Sequence, residues 1–292
     1  MVFTKRRSTH AGGPTSSQTP FERLGALCAH SGLSLEKVAP RIVARMRLLA
    51  ETTETLRDCE RAADLADQMF RHYKACRPAR DQFTRLERRT IIIGSLFSDI
   101  GKTGPERAGL DGQRLVAEMF AVENVLDGQT SVNAFFAAFF RADASDRVRR
   151  FKALDLDPDM SMREFWNLHS TWTLEILRGD GVPPAAVAAA ATHHLLENVI
   201  PHAMFATDAR LGKYMADNAT FDRPEKLVIL LDKYDAARRR GRQTHRDAIV
   251  WLRRLIETNA RFRDDQQFLS LITALDEVMS DPPHPSEITP RL

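Results

Sequence analysis

Ile91-Ile92-Ile93-Gly94-Ser95-Leu96-Phe97-Ser98-Asp99-Ile100-Gly101-Lys102 is the stretch on which the reading of this chain turns. The apolar run from Ile91 to Phe97 ends in a carboxylate, so Asp99 is carried to the edge of a buried element. His169, the pair His193-His194 and Asp232 follow at a distance, each on a segment that reads as helix. Imidazoles and carboxylates converging from several helices are what a buried di-metal site in a helical bundle requires.

Outward from that stretch the periodicity is helical almost throughout. Leu24, Leu27, Leu33, Val38, Ile42, Val43, Met46 and Leu49 recur at three- and four-residue steps, and Ser34 before Glu36 marks a helix start. Amphipathic helices are expected over 54–75, 82–98 and 162–178. Another opens at Pro183-Pro184 and runs through an alanine stretch to His193-His194. A buried helix over 224–239 and two more near 245–260 and 265–279 complete the pattern. Ile91-Ile92-Ile93 is β-branched, but the run is short and has no partner, so the expected class is an all-α helical bundle.

Residues 1–20 are rich in Ser, Thr, Gly and Pro and read as a disordered tail; 21–54 form an N-terminal helical segment, 55–262 the main domain and 263–292 a C-terminal helix and Pro-rich tail. Residues 103–155 read as an inserted subdomain, with a helix around Leu115, Met119 and Val122. A short helix is expected near 208–217. The aromatic run Phe135-Phe136-Ala137-Ala138-Phe139-Phe140 reads as core, with an exposed patch for a homodimer or a protein partner as the alternative.

With 42 basic against 39 acidic residues the net charge is only +3, which gives no case for nucleic acid as a partner. The run Arg238-Arg239-Arg240-Gly241-Arg242 reads as a solvated helix end, although its place just after Asp232 also suits phosphate contact. No stretch approaches the roughly 20 apolar residues that span a bilayer, and Met1 to Arg7 lead into no secretion-signal core. Both features point to the cytoplasm and away from a membrane, and Cys28, Cys59 and Cys76, which form no Cys-x-x-Cys pair, read as reduced core thiols.

In order along the chain these motifs resemble the HD superfamily of metal-dependent phosphohydrolases, most of all its HD-GYP branch, whose members hydrolyse cyclic di-GMP at a di- or tri-metal centre. The resemblance covers about 55–255. Phe97-Ser98-Asp99-Ile100-Gly101-Lys102-Thr103-Gly104-Pro105 is similar to the hydrophobic-His-Asp-Ile-Gly-Lys motif, which implies that Asp99 is the metal-bridging carboxylate and Lys102 the contact to substrate phosphate. Ser98 stands in place of the signature histidine, and a serine hydroxyl is a poor ligand where imidazole is a good one. Asp58-Cys59-Glu60-Arg61-Ala62-Ala63-Asp64-Leu65-Ala66 resembles the helix that opens with the earliest histidine ligand; Asp58 has that position, as a harder oxygen ligand or a solvent-facing residue, with His72 as an off-register candidate.

Met162 to Ser170, followed by Thr173 and Leu174-Glu175-Ile176-Leu177, resembles the helix of the next ligand, His169, and His193-His194 follows it at close to the family separation. Leu231-Asp232-Lys233-Tyr234-Asp235-Ala236 is similar to the final Asp-x-Tyr-Asp-Ala motif, which makes Asp232 a ligand, and Gly241-Arg242 continues the match with Arg242 as a substrate contact. The Gly-Tyr-Pro element is missing, with only Pro201 in its place.

The resemblance implies a divergent metal-binding protein holding one or two ions of Fe, Mn, Zn or Ni. Its expected activity is weak hydrolysis of cyclic di-GMP or another nucleotide. The alternative is an HD-fold pseudoenzyme, without metal, that senses a nucleotide or docks a partner; Ser98, Asp58 and the missing Gly-Tyr-Pro loop favour it. A di-iron oxygenase would keep the fold, but loss of a first-site histidine argues against it.

Overall fold

Side-chain caps set where several helices begin. Thr19, Thr84 and Ser161 each accept a hydrogen bond from the backbone N–H of a glutamate three residues on, while that glutamate reaches back to the cap. The computed structural model describes residues 19–122, 125, 127–201 and 223–280. They form twelve α-helices and no strand: α1 Pro20–His30, α2 Pro40–Thr52, α3 Thr55–Cys76, α4 Arg85–Phe97, α5 Leu110–Phe120, α6 Val132–Phe139, α7 Ala144–Lys152, α8 Met162–Leu177, α9 Pro184–Ala191, α10 Arg223–Arg239, α11 His245–Glu257 and α12 Gln266–Ser280. None of these is long and apolar enough to cross a membrane. The expected tails and the expected helix near 208–217 lie largely or wholly outside the described residues.

The fold is all-α, and α4 is its centre, packed against α3, α9 and α10. The α4–α9 approach depends on small residues: a Cβ on Gly94 would come within 2.8 Å of the Ala189 Cβ. The alanine run Ala185 to Ala191 therefore acts as a smooth surface on which α4 lies. α10 is buried on nearly every side from Pro224 to Leu231, so its sequence carries no amphipathic stripe.

One apolar core runs from Leu24 to Leu275 and takes in the N-terminal helices. Arg45, 2% exposed, reaches from α2 into the segment after α4. It donates to Thr103 Oγ1 and to the carbonyls of Thr103, Gly104, Pro105 and Glu106. A buried guanidinium needs its donors matched, and here five backbone and hydroxyl acceptors match them.

Three local expectations differ from what is observed. Ser34 caps only a single 3-10 turn, Leu35–Lys37, and α2 begins at Pro40. Within 103–155 a helix also forms at Ala144–Lys152. Its buried side is mainly Phe151, which stacks edge-on with Phe136, too brief a pattern to show periodicity. His193 and His194 do not lie on a helix; α9 stops at Ala191 and both histidines occupy the turn after it. Of the four phenylalanines in the aromatic run, Phe135 and Phe136 are core and only Phe139 is substantially exposed, at 47%.

Candidate metal centre

The Asp99 turn is fixed to α8 by backbone contact. A Cβ on Gly101 would lie 1.9 Å from the His169 carbonyl oxygen, so only glycine lets the turn come this close. Thr173, one turn further along α8, ties the same segment twice. Its hydroxyl accepts from the Gly101 N–H and donates to the Ser98 carbonyl, each at 3.0 Å. Gly101 and Thr173 together set Asp99 beside His169.

The turn after α9 does the same for the histidine pair. Consecutive helical residues point about 100° apart, so a helix could not aim both rings at one spot. In the turn both join His169, and ligand atoms of the three imidazoles lie within 4.8 Å of one another. His169 and His193 are buried and His194 is half-buried.

Proton positions follow from the partners. His193 Nδ1 donates to the Ala190 carbonyl at 2.7 Å, and His169 Nδ1 donates to the Trp166 carbonyl. Both Nε2 atoms are left as lone pairs, and they face each other at 3.0 Å. Asp99 Oδ1 is 3.5 Å from His169 Nε2 and 3.6 Å from His193 Nε2. Three electron-rich atoms thus converge in a water-poor spot, an arrangement that a cation relieves.

The electrostatics favour neutral imidazoles at His169 and His194 and an ionised carboxylate at Asp99, the ligand forms. Burial, reinforced by His193, pushes His169 down to about 3. Burial and the ammonium of Lys233 hold His194 well below the ordinary histidine range. Burial works to raise the Asp99 carboxyl, but the Lys102 ammonium and the imidazoles of His193 and His169 outweigh it and hold the group well below the usual range. Lys102 Nζ is 2.6 Å from Asp99 Oδ2.

Asp232 is joined to this group through Lys233. The Lys233 ammonium is 2.6 Å from His194 Nδ1, 2.8 Å from Glu197 Oε2 and 3.1 Å from Asp232 Oδ2. Glu197 also contacts His194 Nδ1. Burial would raise the Asp232 carboxyl, but Lys233, His193 and His194 hold it below the usual range. Asp99 and Asp232 line a cavity of about 10 Å³, together with Asp58, Cys59, Ser95 and Ser98. That is about the room one water molecule needs. Ser95, 2% exposed, has a hydroxyl with no hydrogen-bond partner there, and Ser98 donates to the Ser95 carbonyl.

Two expected site residues fall elsewhere, and a third is already occupied. Asp58 lines the cavity, but Arg61 binds its Oδ1 and Arg239 its Oδ2, so both oxygens are already matched by guanidinium groups. Asp235 accepts from the same two arginines, at 2.9 Å and 3.5 Å. Arg242 is exposed in a left-handed turn, with φ of 49°, and does not line the cavity; Arg240 does. His72 pairs with Glu277 at 2.9 Å, about 21 Å along α3 from Asp58 at 1.5 Å per residue.

Lys233, Glu197 and Cys59 join the site without a motif to mark them. A lysine just past the apolar run Leu227 to Leu231 of α10 is the one signal the sequence offers for Lys233. Comparison with protein-family models, curated proteins and solved structures finds no match to this chain.

Proposed function

We propose that this chain is a divergent HD-GYP-like protein that binds a divalent transition metal, Fe, Mn, Zn or Ni, through Asp99, His169, His193 and His194. In this reading it hydrolyses a phosphodiester or phosphate ester of a nucleotide, cyclic di-GMP among them, slowly. The observation that carries it is the facing pair of imidazole Nε2 atoms, 3.0 Å apart and both beside the Asp99 carboxylate. Neutral imidazoles with Nδ1 tied to carbonyls, plus one carboxylate, are a donor set suited to these metals.

When bound, such an ion supplies Lewis acidity and a more acidic water. The chain's own residues do the rest. The carbonyls of Trp166 and Ala190 hold His169 and His193 in the ligating tautomer. Lys102, with one proton on Asp99, keeps two for phosphoryl oxygens. Arg240 lends positive charge at the cavity wall. The cytoplasm is the compartment that goes with this reading, and the three cysteines are free thiols.

Elemental analysis of the purified chain is the test. About one equivalent of metal is expected, lost in His193→Ala. A chain without metal, or one whose metal content is indifferent to that substitution, ends the reading. The matched charges around Asp58 favour a second reading, a nucleotide-binding pseudoenzyme. Cyclic di-GMP turnover that requires added Mn or Fe and vanishes in Asp99→Ala would dispose of it.

A further inference from the structure

Asp99 and Asp232 differ from His169 and His193 in one respect: each already has a cation of the chain's own beside it. Lys102 Nζ donates a hydrogen bond to Asp99 Oδ2 at 2.6 Å, while Lys233 Nζ lies 3.1 Å from Asp232 Oδ2, an ion-pair distance that leaves that buried oxygen without a hydrogen bond. Neither lysine is a mobile surface group. Their side chains are 12% and 4% exposed. Buried ammonium groups persist only where fixed negative charge surrounds them. Asp58, the third acid at the cavity, is matched by Arg61 and Arg239.

A carboxylate that bridges two metal ions must offer one oxygen to each. Asp99 offers Oδ1 towards His169 and His193, while its Oδ2 is held by Lys102. We propose that Lys102 and Lys233 are built-in cations that stand where a second metal ion would have to bind, so that the centre takes one metal ion, on the imidazole side of Asp99. This rests on the reading that the three imidazoles hold a metal. It also gives a defined role to Lys233, which the motif leaves as a variable position. Its ammonium links His194, Glu197 and Asp232, which come from two separate segments.

The charge argument has a sign that can be checked. An ammonium a few ångströms from a bound cation opposes it, and removing the ammonium leaves a buried carboxylate with no partner. Lys102→Met and Lys233→Met should therefore bind the single metal ion about tenfold more tightly, or better, in a chelator-competition titration with Mn2+ or Zn2+. Lys102→Arg, which keeps the charge, should hold the wild-type affinity. Circular dichroism of each full-length variant reports its folding.

Metal stoichiometry of the wild-type chain needs no variant. One equivalent at saturation is expected, and two equivalents would overturn the inference whatever the variants do. Affinity that is unchanged or weakened in every folded lysine-to-methionine variant would also overturn it. His193→Ala in the same titration separates the two readings. If the wild type binds no ion, or binds one that is indifferent to His193, the centre itself falls and this inference with it. If the ion depends on His193 but a second equivalent enters, only the built-in cations fall.

Discussion

The two sides of Asp99 solve the same electrostatic problem in opposite ways. On one side, His169 and His193 turn lone pairs towards each other with His194 beside them, and no cation of the chain reaches the facing Nε2 pair of His169 and His193 among the described residues. On the other, Asp58 and Asp235 share the guanidinium groups of Arg61 and Arg239 in a closed network. The first arrangement leaves its lone pairs unmatched; the second is complete by itself. A buried charge network that satisfies itself has no need of an ion, whereas neutral imidazoles with fixed tautomers are poised for one. Ser98 at the junction fits this division, since its hydroxyl is spent on the Ser95 carbonyl.

The comparison can be broken most severely at Gly101. Gly101→Ala places a methyl 1.9 Å from the His169 carbonyl, so the turn and α8 must part. The expected loss is about 4 kcal/mol or more, with loss of metal. Denaturant unfolding beside elemental analysis measures both, and a variant of wild-type stability would contradict the close contact.

Acid should attack the histidine side next. His169 stays neutral in the folded chain down to about 3, while in the unfolded chain it takes up a proton near 6.5. Between those values the unfolded state binds more protons, so metal-free stability falls as pH drops from about 6.5 towards 3. His194 adds to the loss in the same direction, and Asp99, held low, adds its share only below about 4. A decline of a few kcal/mol is expected. Urea titrations across that range are the measurement, and a flat profile would refute neutral burial.

Asp58→Asn sharpens the contrast from the other side. It leaves Arg61 and Arg239 with Asp235 alone and should cost about 1–2 kcal/mol. Metal content should not change, and a chain that loses its ion with this substitution would restore Asp58 to the ligand set. Thr173→Val, which removes one acceptor and one donor beneath Asp99, should cost about 1–3 kcal/mol and weaken metal binding with it. The smallest effect belongs to Phe139→Ser, within about 0.5 kcal/mol. A clear shift in oligomeric state on sedimentation would give that exposed ring a role the core does not.

Much of this is legible in the sequence. The periodicity of Leu24 to Leu49, the proline starts and the glutamate-bearing caps announce helices, and Asp99 with Lys102 stands out at the end of its apolar run. What stays hidden is tertiary. Arg239 meets Asp58 across 181 residues, and nothing local to either one signals the pairing. Lys233 stands just past the apolar run of α10, but its partners lie 36 and 39 positions away on the turn after α9. The exit of α9 before His193 is concealed by six alanines, the best helix formers, between Ala185 and Ala191 with Val187 among them, followed by Thr192. Thr192 bonds back to the Ala188 carbonyl and closes the helix there.

Arg45 carries a consequence of another kind. Its guanidinium, rooted in α2, is the donor for four successive carbonyls directly after Lys102. A polypeptide trimmed to begin at Thr55 would leave those peptide groups stranded beside the very turn that presents Asp99. The opening helices are thus no detachable module that recombination could exchange for another. Whatever replaces position 45 must bring donors for that stretch, and the two segments are free to diverge only together.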